Sequence, residues 1–444
     1  MKIAFNIARL NWYRILSAPI AEALRRGWEV QCWHAKDRDG LLKKNAVSIN
    51  RMPKFKVGMV NVKEYEKIEG LRKLIAETDV DVIVDADTVP AAIPDLCDEI
   101  PGQTPLTVLV DAVSNPRLQN GGSKKLPRFD IFSVPSVLHL ESTIKLMSRN
   151  HLTAIEKVGN EMDGWGDQLI RDMRKTYTYS WTLDDCEYYR SNSLVVGVPP
   201  LDDVVLCDPV EIRKKWGIPV AQKVVGYFPS PYDMHGGNIW GEMNYARTSF
   251  GVLVSAIRHG KVQHIAKLLK IKRDKHIVRA VRRFCDYNNA VFVAKLRHSR
   301  SAPAYLKSAV DIEIGEDGYY PHTALELCSV ADVTIGFTSS AALESVAGNT
   351  PYLDIEIPYF PKELYINNFT PALSVAADYP GVISSVTADS FVGEVATKSI
   401  DEIKMNSDAR KKYLDLFAFG WVGGASRRLM DGIEKRVKRR GYGY

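Results

Sequence analysis

The chain has 444 residues, of which 45% are hydrophobic, 25% charged and 9% aromatic, and its formal net charge is +6. This composition is that of a globular protein and excludes collagen-like, disordered and disulfide-scaffold classes, and the length predicts about two to three domains. No apolar run reaches the ~18 residues of a membrane span, and the run Ile3–Ile7 is too short for a signal peptide. The six cysteines form no C-x-x-C pair, so we expect reduced thiols in a cytoplasmic protein.

Short apolar runs that alternate with helical patterns predict a parallel sheet in the first part of the chain. A helical pattern follows the first run, and Gly27 ends it as a C-cap does. The predicted strands are Ile3–Ile7, Glu29–Trp33, Val80–Val84 and Leu106–Val110. Ligands bind beyond the carboxyl ends of such strands, which makes four residues candidates by position: His34, Asp85, Asp87 and Asp111.

A second α/β unit follows a Gly- and Pro-containing boundary near Leu194–Leu201. Its predicted strands are Val224–Phe228, Ala290–Ala294, Ala331–Ile335 and Tyr352–Ile355. The chain ends in a mostly helical stretch from about Ser407 to Arg440. We therefore predict an N-terminal domain at 1–198, a C-terminal domain at 199–400 and a helical segment with a basic end at 401–444.

Basic residues are concentrated in two stretches. Arg258–Arg283 contains ten Lys or Arg and one acid, and Arg427–Arg440 contains seven against two acids. In the first stretch, an apolar stripe that starts at Val262 predicts a basic amphipathic helix, and a further apolar set continues it: Ile277, Val281 and Phe284. Such helices suit an anionic membrane surface, or equally a core with solvated lysines around it. No nucleic-acid-binding motif accompanies them, so we expect no nucleic-acid partner.

The segment Pro321–Asp354 has the pattern most typical of ligand binding. It predicts a strand, a loop of small residues and a helix that begins near Ser339 and Ser340. Unpaired N–H groups and the helix dipole favour phosphate at such a position, although serine is also an ordinary N-cap. Glu344 lies one turn further on the same helix face, where its carboxylate can accept from ribose hydroxyls.

This segment resembles the donor-binding half of GT-B glycosyltransferases. It looks most like the branch with CDP-glycerol polyol-phosphate transferases and CMP-sugar (Kdo or sialyl) capsule transferases, which have a Ser-Ser pair at this helix start. That branch also has a His-Pro motif after an earlier strand; here His298 takes the place of the histidine, and Ser299 replaces the proline. The resemblance implies an α/β fold of two Rossmann-like domains facing a central cleft, with C-terminal helices crossing back.

The resemblance also implies a function. It is the transfer of a glycosyl or polyol-phosphate group to a carbohydrate or lipid-linked glycan in cell-surface polysaccharide synthesis. The donor is a nucleotide-activated substrate, CMP- or CDP-linked in preference to UDP-linked, and neither a metal nor another cofactor is expected. The enzyme would act in the cytoplasm, at the inner face of the membrane if its basic segments bind there.

Roles for single residues follow from the resemblance. Asp111 takes the place of a strand-end histidine in polyol-phosphate transferases and is the expected general base, although aspartate also commonly caps a loop. His298 is the other expected catalytic residue and would stabilise the leaving phosphate, the alternative being a surface histidine in a basic loop. The expected donor-binding residues are Lys295, Arg297, Thr338, Ser339, Ser340, Glu344, His322, Gly236 and Gly237. Candidates on the acceptor side are Arg9, His34 and Asp87.

Three alternatives remain open at this point. Asp85-Ala86-Asp87 matches the metal- and diphosphate-binding signature of GT-A glycosyltransferases, which predicts one continuous domain. An isomerase of the UDP-N-acetylglucosamine 2-epimerase type shares the GT-B fold and needs no acceptor. A non-catalytic glycan- or membrane-binding protein of the same fold would have no saturable nucleotide site.

Overall fold

Two parallel sheets organise the molecule. The computed structural model describes residues 1–37, 52–86, 93–102, 105–110, 126–148, 182–229, 274–296, 302–315, 320–337, 339–356, 379–420 and 423–441. Within these ranges the strands form one sheet of seven and one of six. Every neighbouring pair in both sheets is parallel.

The first sheet has the strand order β3-β2-β1-β4-β5-β6-β7. Its strands are β1 Lys2–Ile7, β2 Glu29–Asp37, β3 Asn61–Glu66, β4 Val82–Asp85, β5 Leu106–Val110, β6 Ile131–Val134 and β7 Ser193–Val195. The helices of this part are α1 Tyr13–Arg25, α2 Lys67–Glu77, α3 Ile93–Asp98, α4 Val137–Ser148 and α5 Leu183–Asn192. The chain order reverses between β1 and β4, which is where a doubly wound sheet opens a crevice for ligands.

The second sheet has the order β10-β9-β8-β11-β12-β13, so its own reversal lies between β8 and β11. Its strands are β8 Lys223–Tyr227, β9 Ala290–Lys295, β10 Ile312–Ile314, β11 Val333–Gly336, β12 Tyr352–Glu356 and β13 Ile383–Thr387. Its helices are α6 Pro209–Lys215, α7 Asp274–Tyr287, α8 Ala304–Lys307, α9 Thr323–Val330, α10 Ala341–Ala347 and α11 Ala388–Gly393. Two longer helices follow, α12 Ser407–Ala418 and α13 Ala425–Arg439.

The buried strands follow the apolar runs of the sequence. β5 coincides with its predicted bounds, and all five of its residues are buried. Gly27 ends the first helical segment with a φ of +70°, a conformation that glycine adopts at no steric cost. β2 runs four residues past its predicted end at Trp33, because β3 pairs with it on the outer side.

The C-terminal helices divide between the two domains. Tyr413, Leu414 and Phe417 of α12 lie in an apolar cluster with α10 of the second domain. The buried face of α13 packs instead under the first sheet, against Ile3, Phe5 and α1, and consists of Leu429, Met430, Ile433 and Val437. Helix α13 therefore completes the core of the first domain.

The chain crosses between the domains twice, first in the segment between β7 and α6 and again in the segment between α12 and α13. The two crossings touch at Gly197. A Cβ at this position would stand 2.9 Å from the guanidinium of Arg428 and 3.0 Å from the carbonyl oxygen of Ala418. Arg428 Nε in turn donates to the carbonyl oxygen of Val196 at 2.7 Å. Glycine is needed here because its φ is +97° and the second crossing leaves no space for a side chain.

The structure describes only the second part of the predicted basic amphipathic region. The stripe that starts at Val262 lies outside the described residues. The continuing set of Ile277, Val281 and Phe284 lies in the core of the second domain, each at most 5% exposed, so this part is a core-packing helix and not a membrane-binding face. Among the helices of the described ranges, none is long and apolar enough to cross a membrane.

Candidate active site

An ion pair joins the two domains. Arg14, in the first turn of α1, donates from a guanidinium nitrogen to Oε1 of Glu344 in α10, although the two residues are 330 positions apart. The Glu344 side chain is 7% exposed and that of Arg14 is 33% exposed. In the described part of the chain, Oε2 of Glu344 is buried without a hydrogen-bond partner. The carboxylate is thus held in the protein by a charge from the opposite domain, with one oxygen left over.

A buried histidine belongs to the same region. His322 immediately precedes α9 and is 3% exposed. Neither of its ring nitrogens has a hydrogen-bond partner among the residues the structure describes. Burial lowers the pKa of His322 well below its ordinary value, and the nearby positive charges of Arg14 and Lys295 lower it further. The imidazole is therefore neutral at pH 7, so one of its nitrogens can donate a hydrogen bond and the other can accept one.

Lys295 supplies the second cation. It is the last residue of β9, pairs in register with Ile314 of β10, and is 8% exposed. β9 neighbours β8, which flanks the reversal, and the doubly wound topology brings ligand-binding groups together at the carboxyl ends of the strands there. The two neighbours of Lys295 that the sequence also predicts for this site, Arg297 and His298, lie outside the described residues.

The serine pair lies between β11 and α10, as predicted. Ser340 is the N-cap of α10 but forms no side-chain cap, whereas Ser339 Oγ accepts from the backbone N–H of Ala341 at 3.3 Å. Both serines are half-buried. Ser339 thus serves the ordinary capping role at least in part.

A buried polar network fixes α9 and α10 against the strand between them. Thr334 Oγ1 of β11 donates to Ser345 Oγ at 2.8 Å, and Ser345 Oγ donates to the carbonyl oxygen of Ala341 at 2.8 Å. Cys328 Sγ of α9 lies 3.4 Å from the same Ser345 hydroxyl. Since His322 precedes α9 and Glu344 precedes Ser345, this network sets the positions of both candidate site residues.

From the sequence we expected His34 to lie in an open loop after its strand, and this expectation is wrong. It lies inside β2, is completely buried, and its Nε2 is 2.5 Å from the hydroxyl oxygen of Tyr13. Burial lowers its pKa to about 4, so the ring is neutral. The correction has a simple cause: the pairing of β2 with β3 carries the strand past His34, and α1 covers it with Tyr13.

The strand-end carboxylate Asp85 is also buried. Its Oδ2 accepts from Asn6 Nδ2 at 3.1 Å and its Oδ1 from the backbone N–H of Ala86 at 2.8 Å. Asn6 in turn accepts from the Tyr65 hydroxyl at 2.8 Å. Asp85 therefore joins the ends of β4, β1 and β3. Arg9 lies two residues after the end of β1 and is half-buried.

The structure brings four residues together at the cleft: Arg14, Lys295, His322 and Glu344. Three of them were predicted, and Arg14 was missed, because one arginine on an amphipathic helix carries no signal of its partner in the other domain. Five further candidate residues lie outside the described residues, in addition to Arg297 and His298: Asp87, Asp111, Gly236, Gly237 and Thr338.

The arrangement suits an anionic ligand. Two cations and the N–H of a neutral histidine favour phosphate oxygens. A carboxylate whose Oε2 has no partner among the described residues favours hydroxyl donors. Such groups, set in a partly buried site, interact more strongly than they would in water.

Comparison with known proteins identifies the architecture. No protein-family model matches the chain, and no curated protein matches its sequence. Solved structures do: a variant of the wall teichoic acid polymerase TagF soaked with CDPG superposes with a TM-score of 0.53 at 14% identity, over 100% of this chain and 90% of that one. The S. aureus MnaA–UDP structure gives 0.51 at 11% identity, over 98% and 97% of the two chains. A putative UDP-N-acetylglucosamine 2-epimerase from Listeria monocytogenes gives 0.53 at 10%, over 99% and 97%.

Likenesses at these identities establish the fold. They agree with the two parallel sheets and with the C-terminal helix that returns to the first domain. The GT-A alternative, which requires one continuous domain, is therefore wrong. The chain has the GT-B fold, with two Rossmann-like domains facing a central cleft, as the resemblance implied.

Proposed function

We propose that this protein is a GT-B enzyme that binds a nucleotide-activated donor in its cleft and transfers a glycosyl or polyol-phosphate group to a carbohydrate or lipid-linked acceptor. The observation that carries the proposal is the meeting of Arg14, Lys295, His322 and Glu344 between the domains. Phosphate is the ligand chemistry that such a group favours, and the leaving group of a nucleotide donor is a phosphate.

The chemistry assigned to these residues is electrostatic. Negative charge grows on the leaving phosphate as the transferred group departs, and Lys295 and Arg14 would stabilise that charge in a site shielded from water. His322 would donate a hydrogen bond to the same oxygens. Glu344 would accept from ribose hydroxyls. From the sequence we add Ser339 and Ser340 on the phosphates, His298 beside Lys295, and Asp111 as the base that takes the acceptor proton.

The donor nucleotide is proposed to carry cytidine. The support is the Ser339-Ser340 pair, through its likeness to the CDP-glycerol and CMP-sugar branch, and a TagF structure that was soaked with CDPG. A structural neighbour that was determined with UDP makes uridine the competing choice. The acceptor, a membrane-surface location and a role in cell-surface polysaccharide synthesis stay predictions.

A thermal-shift titration with CMP, CDP, UDP, GDP and ADP tests the proposal, with and without EDTA. A ligand that binds only the folded state raises the melting temperature by mass action. We expect a cytidine-selective shift that EDTA leaves unchanged. A shift lost in EDTA would contradict the metal-independent mechanism, and no shift with any nucleotide would favour the glycan-binding alternative.

An epimerase is the second candidate, because the chain spans 97% of the Listeria monocytogenes structure and nearly all of itself. The two reactions differ in their need for a second substrate. Incubation with the nucleotide-sugar that gives the largest thermal shift, without acceptor, distinguishes them. A new nucleotide-sugar would favour the epimerase, whereas an unchanged donor that is consumed only when a glycan is added favours the transferase.

A further inference from the structure

The Arg14–Glu344 ion pair engages one guanidinium nitrogen and one carboxylate oxygen of the two groups that a nucleotide would use. Arg14 is a guanidinium, the side chain best suited to phosphate, and the pair engages it with a carboxylate. Glu344 is the predicted ribose ligand, and the same pair engages its Oε1. The two residues cannot keep this contact in full and also bind a phosphate and a ribose through the same atoms.

Burial prevents the pair from simply opening. The Glu344 carboxylate is 7% exposed, so removal of Arg14 alone would leave a buried charge without a partner. The Arg14 side chain is partly buried, so removal of Glu344 alone would likewise leave a partly buried positive charge without this partner. A ligand that engages only one member of the pair must therefore bear the cost of leaving the other member uncompensated.

We propose that Arg14 is a specificity-determining residue that the first domain supplies to the donor site, and that the donor binds by exchange with the ion pair. The phosphate oxygens of the donor replace the Glu344 carboxylate on the Arg14 guanidinium. The ribose hydroxyls replace the guanidinium on Glu344. This inference rests on the proposed function, because it requires a nucleotide in the cleft.

The surroundings of the pair fit the exchange. The positive charges of Arg14 and Lys295 both act on His322, so an incoming phosphate beside this histidine lies near two cations. His322, whose nitrogens have no partner within the described residues, and Oε2 of Glu344 add a donor and an acceptor for the same ligand. The phosphate end and the ribose end of the ligand would therefore both have hydrogen-bonding partners in the protein.

The exchange predicts how tightly fragments of the ligand bind. Inorganic pyrophosphate would satisfy Arg14 and leave Glu344 alone, and a nucleoside would satisfy Glu344 and leave Arg14 alone. Each fragment should bind poorly to the wild type. Removing the residue that a fragment leaves unpaired should improve the binding of that fragment, because the orphaned charge is gone.

Calorimetric titration of the full-length protein tests this. The ligands are CDP and UDP, their nucleosides cytidine and uridine, and inorganic pyrophosphate; the variants are Arg14→Gln and Glu344→Gln. We expect Arg14→Gln to weaken the preferred nucleoside diphosphate about 10- to 100-fold and to tighten the nucleoside. Glu344→Gln should weaken the diphosphate and the nucleoside and tighten pyrophosphate. Arg72→Gln, which removes an exposed ion pair with Glu99 elsewhere in the first domain, is the matched control and should change none of these affinities.

The exchange is supported only if Arg14→Gln tightens the nucleoside and Glu344→Gln tightens pyrophosphate. If both fragments weaken in both variants, or if neither responds, the ion pair is only a structural contact and the exchange is wrong. If the wild type binds neither diphosphate, the proposed function fails, and the exchange with it. Melting curves without ligand establish that the variants fold; should a Gln variant not fold, Arg14→Lys and Glu344→Asp keep the charges. In these two variants the retained charge is still left unpaired by one fragment, so the exchange predicts a weaker diphosphate and no tightening of either fragment. Tightening of a fragment would overturn it.

Discussion

The ring of Tyr352 lies across Gly336, and its hydroxyl donates to the carbonyl oxygen of Phe337 at 2.9 Å. A Cβ on residue 336 would stand 2.3 Å from that hydroxyl oxygen, which is closer than any real Cβ contact. Gly336 ends β11, and the loop to the serine pair begins after it. The packing of one tyrosine on β12 thus fixes the start of the loop that reaches the candidate donor site.

Gly336→Ala should therefore destabilise the protein. Overpacking of this kind costs about 1–3 kcal/mol, and we expect a lower midpoint in urea unfolding. Tyr352→Phe removes the clashing oxygen together with its hydrogen bond. In the Gly336→Ala/Tyr352→Phe double variant the two losses should not add, because the phenylalanine relieves the clash. Strict additivity would show that the alanine is accommodated in another way.

A second prediction concerns the start of α13. Gly424 is the N-cap of this helix and has no side chain, and Asp202 of the first crossing supplies the cap instead. Its carboxylate oxygens accept from the backbone N–H groups of Ala425 at 2.9 Å and Ser426 at 2.7 Å. Asp202→Ala should cost about 1–2 kcal/mol in the free energy of unfolding. Asp202→Asn, which keeps one acceptor, should recover part of this, and equal losses in both variants would contradict the capping role.

The buried histidines give the protein an acid-sensitive stability. The pKa of His34 is about 4 in the folded state, below the ~6.5 of an unfolded chain, so between these values the unfolded state binds a proton that the folded state does not. Stability contributed by the neutral ring is therefore lost as the pH falls from about 6.5 to about 4, by at most about 1.4 kcal/mol per pH unit. Urea unfolding at pH 7, 6 and 5 should show a smaller decrease in His34→Gln than in the wild type. An identical slope would refute the assignment.

His322 should take up a proton when a nucleotide binds. Its pKa is lowered partly by the charges of Arg14 and Lys295, and phosphate oxygens placed beside these cations would offset them. Calorimetry in buffers of different ionisation enthalpy measures the proton uptake. We expect more protons to be taken up on binding by the wild type than by His322→Gln, in which only the nucleotide's own phosphate still titrates. Equal uptake in the two proteins would exclude His322 from the site.

The proposed base gives a kinetic prediction. Asp111 lies outside the described residues, and its role comes from the sequence alone. Asp111→Asn should lower turnover by about 10²- to 10⁴-fold, the usual contribution of general base catalysis, and leave nucleotide affinity unchanged. Turnover with the acceptor and a nucleotide titration measure the two separately. Normal turnover would mean that the base is another residue.

The sequence was most informative where burial is continuous. β5 and β11 have apolar runs, and both were predicted within about two residues of their bounds. β3 was missed because its segment Asn61–Glu66 is an edge strand with a single buried residue, Tyr65, and so has no apolar run. β10 was missed because three residues are too few to show a pattern.

Only the site residues that lie close together in one sequence motif could be predicted. Ser339, Ser340 and Glu344 belong to one strand–loop–helix unit, and the position of such a unit follows from its own sequence. Arg14 lies on an ordinary amphipathic helix, and its contact with Glu344 depends on how two domains meet. His34 failed for a similar reason, since the pairing with β3 that extends its strand comes from a segment without a strand signal.

The return of α13 to the first domain has a consequence for biosynthesis. The four apolar residues Leu429, Met430, Ile433 and Val437 fill the space beneath the first sheet. A ribosome makes this helix after the strands of that sheet and after the whole second domain, so the emerging first domain must wait for the second before its interior is closed. During that interval the underside of the sheet exposes apolar surface to which a chaperone can bind. A fragment ending at the first crossing should for the same reason aggregate when expressed alone, and a separately supplied peptide of residues 423–441 should restore its solubility.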